Sequence, residues 1–175
     1  MYKNLIFIYV LIILFSGCVS NNNIKKVFQT HKANQISKDY NKIMNFLHDY
    51  KVKLDKRNPR YYNKTLEKAI YRQINNNKTF VTLRDFDGKK LKNFKQYLDL
   101  AFDEKGILNR NDYLVLGVYY MIYDAYSIAG QHKFTALNYN KEKLEKLYKN
   151  LYILKWKIRT SKDINGNYLF LTWQN

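Results

Sequence analysis

The chain has 175 residues, with 31 Lys and Arg against 14 Asp and Glu, for a formal net charge of +17. Hydrophobic residues make up 46% and aromatics 17%, which supports one packed domain and excludes wholesale disorder. One Cys, one Pro and six Gly exclude a disulfide framework, a CxxC redox pair and a Cys-rich zinc site, and they argue against a many-turned sandwich or barrel.

Lys3 stands ahead of an unbroken apolar run, Leu5 to Phe15, and then come Ser16, Gly17 and Cys18. A positive start, a short apolar run and small residues make a secretory signal peptide of residues 1–17. At about 1.5 Å per residue the run spans roughly half of a ~30 Å hydrocarbon core, too little for a permanent membrane helix.

Phe15-Ser16-Gly17-Cys18 resembles the lipobox of bacterial lipoproteins: a large apolar residue, two small ones, then Cys. The resemblance covers the first 18 residues only. It implies cleavage before Cys18, a diacylglyceryl group on the sulfur and acylation, palmitate for example, of the new amino group. Two or more acyl chains anchor stably where one is marginal. Val19, where inner-membrane retention uses Asp, resembles the outer-membrane sorting class of a two-membrane bacterium, facing the periplasm. An unmodified thiol or an uncleaved signal anchor is the alternative.

Cleavage removes Lys3 and no acid, so +17 becomes +16. An exported basic protein meets lipid headgroups, lipopolysaccharide phosphates and wall polymers, not nucleic acid, and no nucleic-acid-binding signature stands out. The expected partners are therefore the membrane, through lipid at Cys18, and an envelope protein or anionic envelope polymer. An AT-rich genome would also enrich Lys, Asn, Ile, Tyr and Phe together, and that bias competes with a functional charge.

Residues 18–35 read as a polar, lipidated tether, and residues 36–175 as a single globular domain. Ser37 is the expected start of a first helix, whose stripe is Ile36, Tyr40, Ile43, Met44, Leu47, Tyr50 and Leu54, with Lys and Asn on the other face. Asn58-Pro59 ends it. A second helix fits Asn63 to Ile74. Thr79 to Leu83 reads as an edge strand or a loop, and Asp87-Gly88 as a turn. A third helix fits Lys89 to Phe102, with Gly106 as a stop. Asn109 to Ala129 is apolar around its whole circumference from Tyr113 to Met121, as in the buried centre of a bundle. A fifth helix fits Lys141 to Leu154. The period then changes: Trp156, Ile158 and Thr160 alternate with Lys157 and Arg159, and Asn165-Gly166 is a turn signal. The expected fold is mainly α, a small bundle of about five helices with a C-terminal β-hairpin packed on it. Trp156 and Trp173 would face each other across the hairpin.

Chemistry-bearing motifs are scarce. His31, His48 and His132 sit in no metal-binding pattern, so no metal, cofactor or catalytic residue is assigned. GxSxG, P-loop and GxGxxG patterns are missing. Glu67, Asp99, Asp103, Glu104 and Asp124 could supply a carboxylate pair for wall-polymer hydrolysis. Tyr113, Gly117, Tyr120, Asp124 and Ser127 share one face of the apolar helix, either as a pocket wall or as a close helix interface where hydroxyls and Asp124 find partners. The 17 Tyr could form a binding surface or fill the core. The expected role is non-enzymatic binding or assembly in a bacterial envelope, comparable in architecture alone to secretion pilotins. It predicts a groove or apolar patch of roughly several hundred Å² on the folded surface. The alternatives are an enzyme on wall or lipid substrates, and a carrier of a small ligand or lipid.

Overall fold

A computed structural model describes residues 31–76, 80–126 and 140–172. Among them are five α-helices, α1 (His31–Arg57), α2 (Lys64–Asn76), α3 (Phe94–Ala101), α4 (Arg110–Ala125) and α5 (Lys141–Thr160), with a 3₁₀ turn at Pro59–Tyr61 between α1 and α2. The mainly helical reading holds. α4 is the hub. It touches each of the other four helices and the 3₁₀ turn, so its apolar circumference is buried from several directions.

Asparagines set several helix ends. The Asn63 side chain accepts from the amides of Thr65 and Leu66 at the start of α2. Asn93 and Asn140 do the same for α3 and α5, accepting from Gln96 and Lys143. α1 is helical from His31, six residues ahead of Ser37, and a Gln35-to-Asp39 hydrogen bond one turn apart supports its first part.

α3 and α4 pack closest. Gly117 makes this possible: a methyl group there would meet Leu98 Cδ2 at 2.7 Å and Tyr97 Cβ at 3.2 Å. Arg110, at the start of α4, is buried beneath the end of α3. Its guanidinium donates to the carbonyls of Ala101 (2.7 Å), Asp103 (2.8 Å) and Lys105 (2.6 Å) and faces the Tyr61 ring at 5.3 Å. A cation at a helix C-terminus satisfies orphan carbonyls and complements the dipole.

Residues 80–83 are irregular, not a strand. Their backbone is held by tyrosines. Tyr120 donates to the Val81 carbonyl (2.9 Å), Tyr113 to the Arg84 carbonyl (2.7 Å), and the Tyr97 hydroxyl accepts from the Leu83 amide (3.2 Å). Tyrosine hydroxyls thus replace the ladder that a neighbouring strand would supply.

The expected C-terminal β-hairpin is not seen. α5 continues through Trp156 to Thr160, and the described residues contain no strand, only isolated bridges at Arg84–Lys90 and Lys162–Tyr168. The physical reason lies in two overlapping periods. Trp156, Ile158 and Thr160 alternate, but Leu151, Leu154 and Ile158 also extend the three-and-four spacing of Leu144 and Leu147. Extending an existing helix adds one hydrogen bond per residue fixed, whereas a strand needs a partner. Leu169 and Phe170 are both buried although adjacent, which a strand packed on one face does not allow. Trp156 projects from α5, exposed, so the cross-strand pair with Trp173 falls with the hairpin; Trp173 lies outside the described residues.

The Asn165-Gly166 turn is present, and it is a copy of the one at Asp87-Gly88. In each, an Asp (Asp85 or Asp163) accepts through Oδ1 from the amides two and four residues on, and a Gly takes positive φ, 77° at Gly88 and 81° at Gly166. Each turn is followed by a buried leucine, Leu91 or Leu169.

Candidate functional site

α5 lies over α4 as a ridge. Leu147 and Leu154 are its only fully buried side chains, with Leu144, Leu151 and Ile158 half-buried beside them. A groove opens on each flank. The one toward α1 has a volume of 420 Å³, within the about 300–1,000 Å³ of small-molecule sites. Its floor is Val118 and Ile122 of α4. Ile43, Leu47 and Tyr50 of α1 form one wall, and Leu151, Leu154 and Ile158 of α5 the other. Phe46 stands at the edge, 60% exposed. The charged lining residues are Lys155 and Arg159, so the rim is cationic and no carboxylate lines the groove. The Tyr50 hydroxyl lies buried without a hydrogen-bond partner among the described residues, and burial pushes its ionisation upward. The opposite groove, 410 Å³, mixes Phe94 and Met121 with Lys95, Asp99, Lys146 and Lys157. Along α5, Tyr148, Tyr152 and Trp156 project at four-residue spacing into solvent.

A second cluster lies deeper, where α1 meets the start of α4. Lys51 Nζ is 2.6 Å from Asp55 Oδ2 and 2.8 Å from Asp112 Oδ1, and the Lys51 and Asp112 side chains are 0% exposed. Asn111 donates to Asp55 Oδ1 (2.9 Å) and to the Asn58 carbonyl (3.1 Å). Asn58 in turn accepts from the Leu171 amide (2.7 Å) and donates to the Leu171 carbonyl (3.3 Å), pinning the C-terminal segment. One ammonium serves two carboxylates. Desolvation is the main influence on Asp112 and raises its pKa from 3.8 to about 6, against the opposing pull of Lys51. Lysine and carboxylates so close resemble acid–base machinery, but Lys51 and Asp112 have no solvent-accessible surface through which a substrate could reach them.

The face singled out in the sequence divides. Gly117 packs on α3, and the Tyr97 ring lies 6.5 Å from Tyr113 and 5.2 Å from Tyr120. Both hydroxyls hold the backbone of residues 81–84, as described above. Asp124 is exposed in the last turn of α4, 3.9 Å from Lys143. Ser127, Cys18 and His132 lie outside the described residues. Glu67 is in α2, Asp99 in α3, and Asp103 and Glu104 follow α3. His48 packs on the Tyr71 ring at 4.6 Å. Among the described residues no three His, Cys, Asp or Glu are grouped to hold a metal.

Lys51 was hidden in the sequence by its charge. It continues the inward spacing of Tyr40, Met44 and Leu47 and precedes Leu54 by three, so position marks it as core although residue type does not. Arg110, Asn111 and Asp112 open the most apolar segment of the chain, which was the available sign that they are buried with it.

No known protein family, curated protein or solved structure matches the chain.

Proposed function

We propose that this is an exported envelope protein, anchored to a bacterial membrane by lipid at Cys18, whose helical domain acts by binding and not by catalysis. The lipobox-type segment supports the anchor, because the chain's only Cys stands where that signal needs it. No described helix is long and apolar enough to cross a membrane, so attachment would rest on the covalent lipid.

The observation that carries the binding reading is the apolar groove between α1, α4 and α5. It is open and carries water-facing hydrophobic surface, whereas Lys51 and Asp112, the residues best suited to acid–base chemistry, are sealed. A concave, mostly apolar cleft of this volume is the usual setting of a ligand site. The bound component would be an envelope protein or an anionic envelope polymer, in keeping with the charge of +16 left after cleavage removes Lys3 from a chain of +17.

The first test is the anchor. Full-length protein expressed in a bacterium should lose residues 1–17 and gain acyl mass on Cys18. Cys18→Ser should abolish both changes and the incorporation of labelled palmitate. An intact Met1, or a bare Cys18 thiol at the new N-terminus, would refute the anchor. The binding role is read separately: a photo-crosslinker at Phe46 should capture one reproducible envelope component in living cells, and the same crosslinker at Arg72, on α2, should not.

A further inference from the structure

We infer that the α1–α4–α5 groove takes a single-chain anionic amphiphile, with its alkyl chain against α4 and its carboxylate at Lys155. The inference rests on the binding reading above and names the ligand class. Three features of the groove set the chemistry. First, the half-buried Ile43, Leu151 and Ile158 offer aliphatic surface above the buried floor of Val118 and Ile122, which favours a hydrocarbon chain over a sugar or peptide backbone. A sugar or peptide would bring many polar groups, of which the Tyr50 hydroxyl could pair one inside the cationic rim. Second, the charges that line it, Lys155 and Arg159, are of one sign, and both belong to α5 one helical turn apart. A carboxylate beside them gains an ion pair as well as hydrogen bonds, whereas a cationic head is repelled and a neutral head gains only a hydrogen bond to a neutral oxygen. Third, the volume of 420 Å³ lies in the range of small-molecule sites, a size that one alkyl chain can fill. The other groove lacks this combination, since Asp99 lines it together with Lys95, Lys146 and Lys157.

The chain is tested whole, in nanodiscs of zwitterionic phospholipid, with a palmitate analogue carrying a diazirine near its methyl end. Irradiation should label peptides containing Leu47, Val118, Ile122 or Leu151. Excess palmitate should compete, and hexadecanol, with the same chain and no charge, should compete about tenfold less well, as expected when the ion pair is reduced to a hydrogen bond to a neutral oxygen. Lys155→Glu should weaken labelling by a similar factor. Lys157→Glu makes the same charge change on the same helix but lines the other groove, and it should leave labelling unaltered. The inference is overturned by labelling outside the groove, by equal competition from hexadecanol, by equal effects of the two Lys variants, or by displacement of the probe with an anionic two-chain phospholipid but not with palmitate. Loss of palmitate labelling with retained capture of an envelope component at Phe46 would sink the ligand and spare the binding reading. Loss of both would sink both.

Discussion

Lys51 is the residue on which the interior charge balance turns. Its ammonium is fully buried between two carboxylates, so removing it leaves two anions in a low-dielectric site. Breaking a buried pair in this way costs about 3–5 kcal/mol, and Lys51→Met should lower the urea midpoint accordingly. Asp112 is the opposite case. Its pKa is raised by burial from 3.8 to about 6, so between those values the folded state holds a proton that the unfolded state has lost. Stability from this group is therefore full below about pH 3.8, falls as the pH rises toward 6, and is level above it. Asp112→Asn should remove that fall and leave the protein at least as stable as the parent at pH 7, because the amide stands in for the protonated carboxyl and Lys51 keeps Asp55. Urea titrations of both variants across pH 4–7 check the pair. A steeper fall in Asp112→Asn than in the parent would contradict the assignment.

At the scale of elements, close approach and loose approach coexist around α4. The α3–α4 contact depends on the missing side chain at Gly117, where a methyl would press on Leu98 Cδ2 at 2.7 Å. Overpacking costs about 1–3 kcal/mol, and the gain in helix propensity from Gly to Ala returns about 1 kcal/mol. Gly117→Ala should thus destabilise by about 1 kcal/mol, whereas Gly106→Ala, with nothing within 4 Å, should be near neutral. α5 is held differently. Flanked by two grooves, it fully buries only Leu147 and Leu154. Its amides should exchange with deuterium faster than those of α3 and α4, and Asn140→Ala, which removes the cap bond to Lys143, should cost about 1 kcal/mol and raise exchange in α5 first. Uniform protection across all helices would refute this hierarchy.

The same elements explain what could be read in advance. Tyr40, Met44, Leu47 and Leu54 announce α1 because a half-buried helix must repeat its apolar residues on one face. The uniformly apolar Tyr113 to Met121 announces a central helix for the same reason. The end of α5 was ambiguous because Ile158 satisfies both the two-residue and the three-to-four-residue period, and only packing on α4 decides between them. The groove was foreseen as a kind of feature but not by position, since Val118 and Leu151 meet only in the folded chain. The buried cluster was missed because Lys51, Asp55 and Asp112 look like surface residues until their neighbours on the helix are considered.

For the whole molecule, the excess of cations outweighs its surface pairing. Among the described residues the Lys–carboxylate pairs on the surface are loose: Lys89–Asp87 at 3.6 Å, Lys141–Glu145 at 3.5 Å and Lys143–Asp124 at 3.9 Å, all substantially exposed. Such pairs add little and are screened by salt. A net charge of +17 meanwhile makes the compact chain repel itself. Salt weakens that repulsion as the Debye length shortens from about 30 Å at 0.01 M to about 10 Å at 0.1 M. The tight, dry Lys51–Asp55–Asp112 cluster is screened far less over the same range. Thermal and urea midpoints should therefore rise as sodium chloride is raised from about 0.01 to 0.1 M, the range in which screening changes most. The rise should be larger in Asp124→Asn, which removes one loose pair and raises the net charge by one, and larger likewise in a variant with added surface Lys. A fall in midpoint with salt would mean that the exposed pairs outweigh the self-repulsion, and the basic surface would then have to be regarded as a stabilising network.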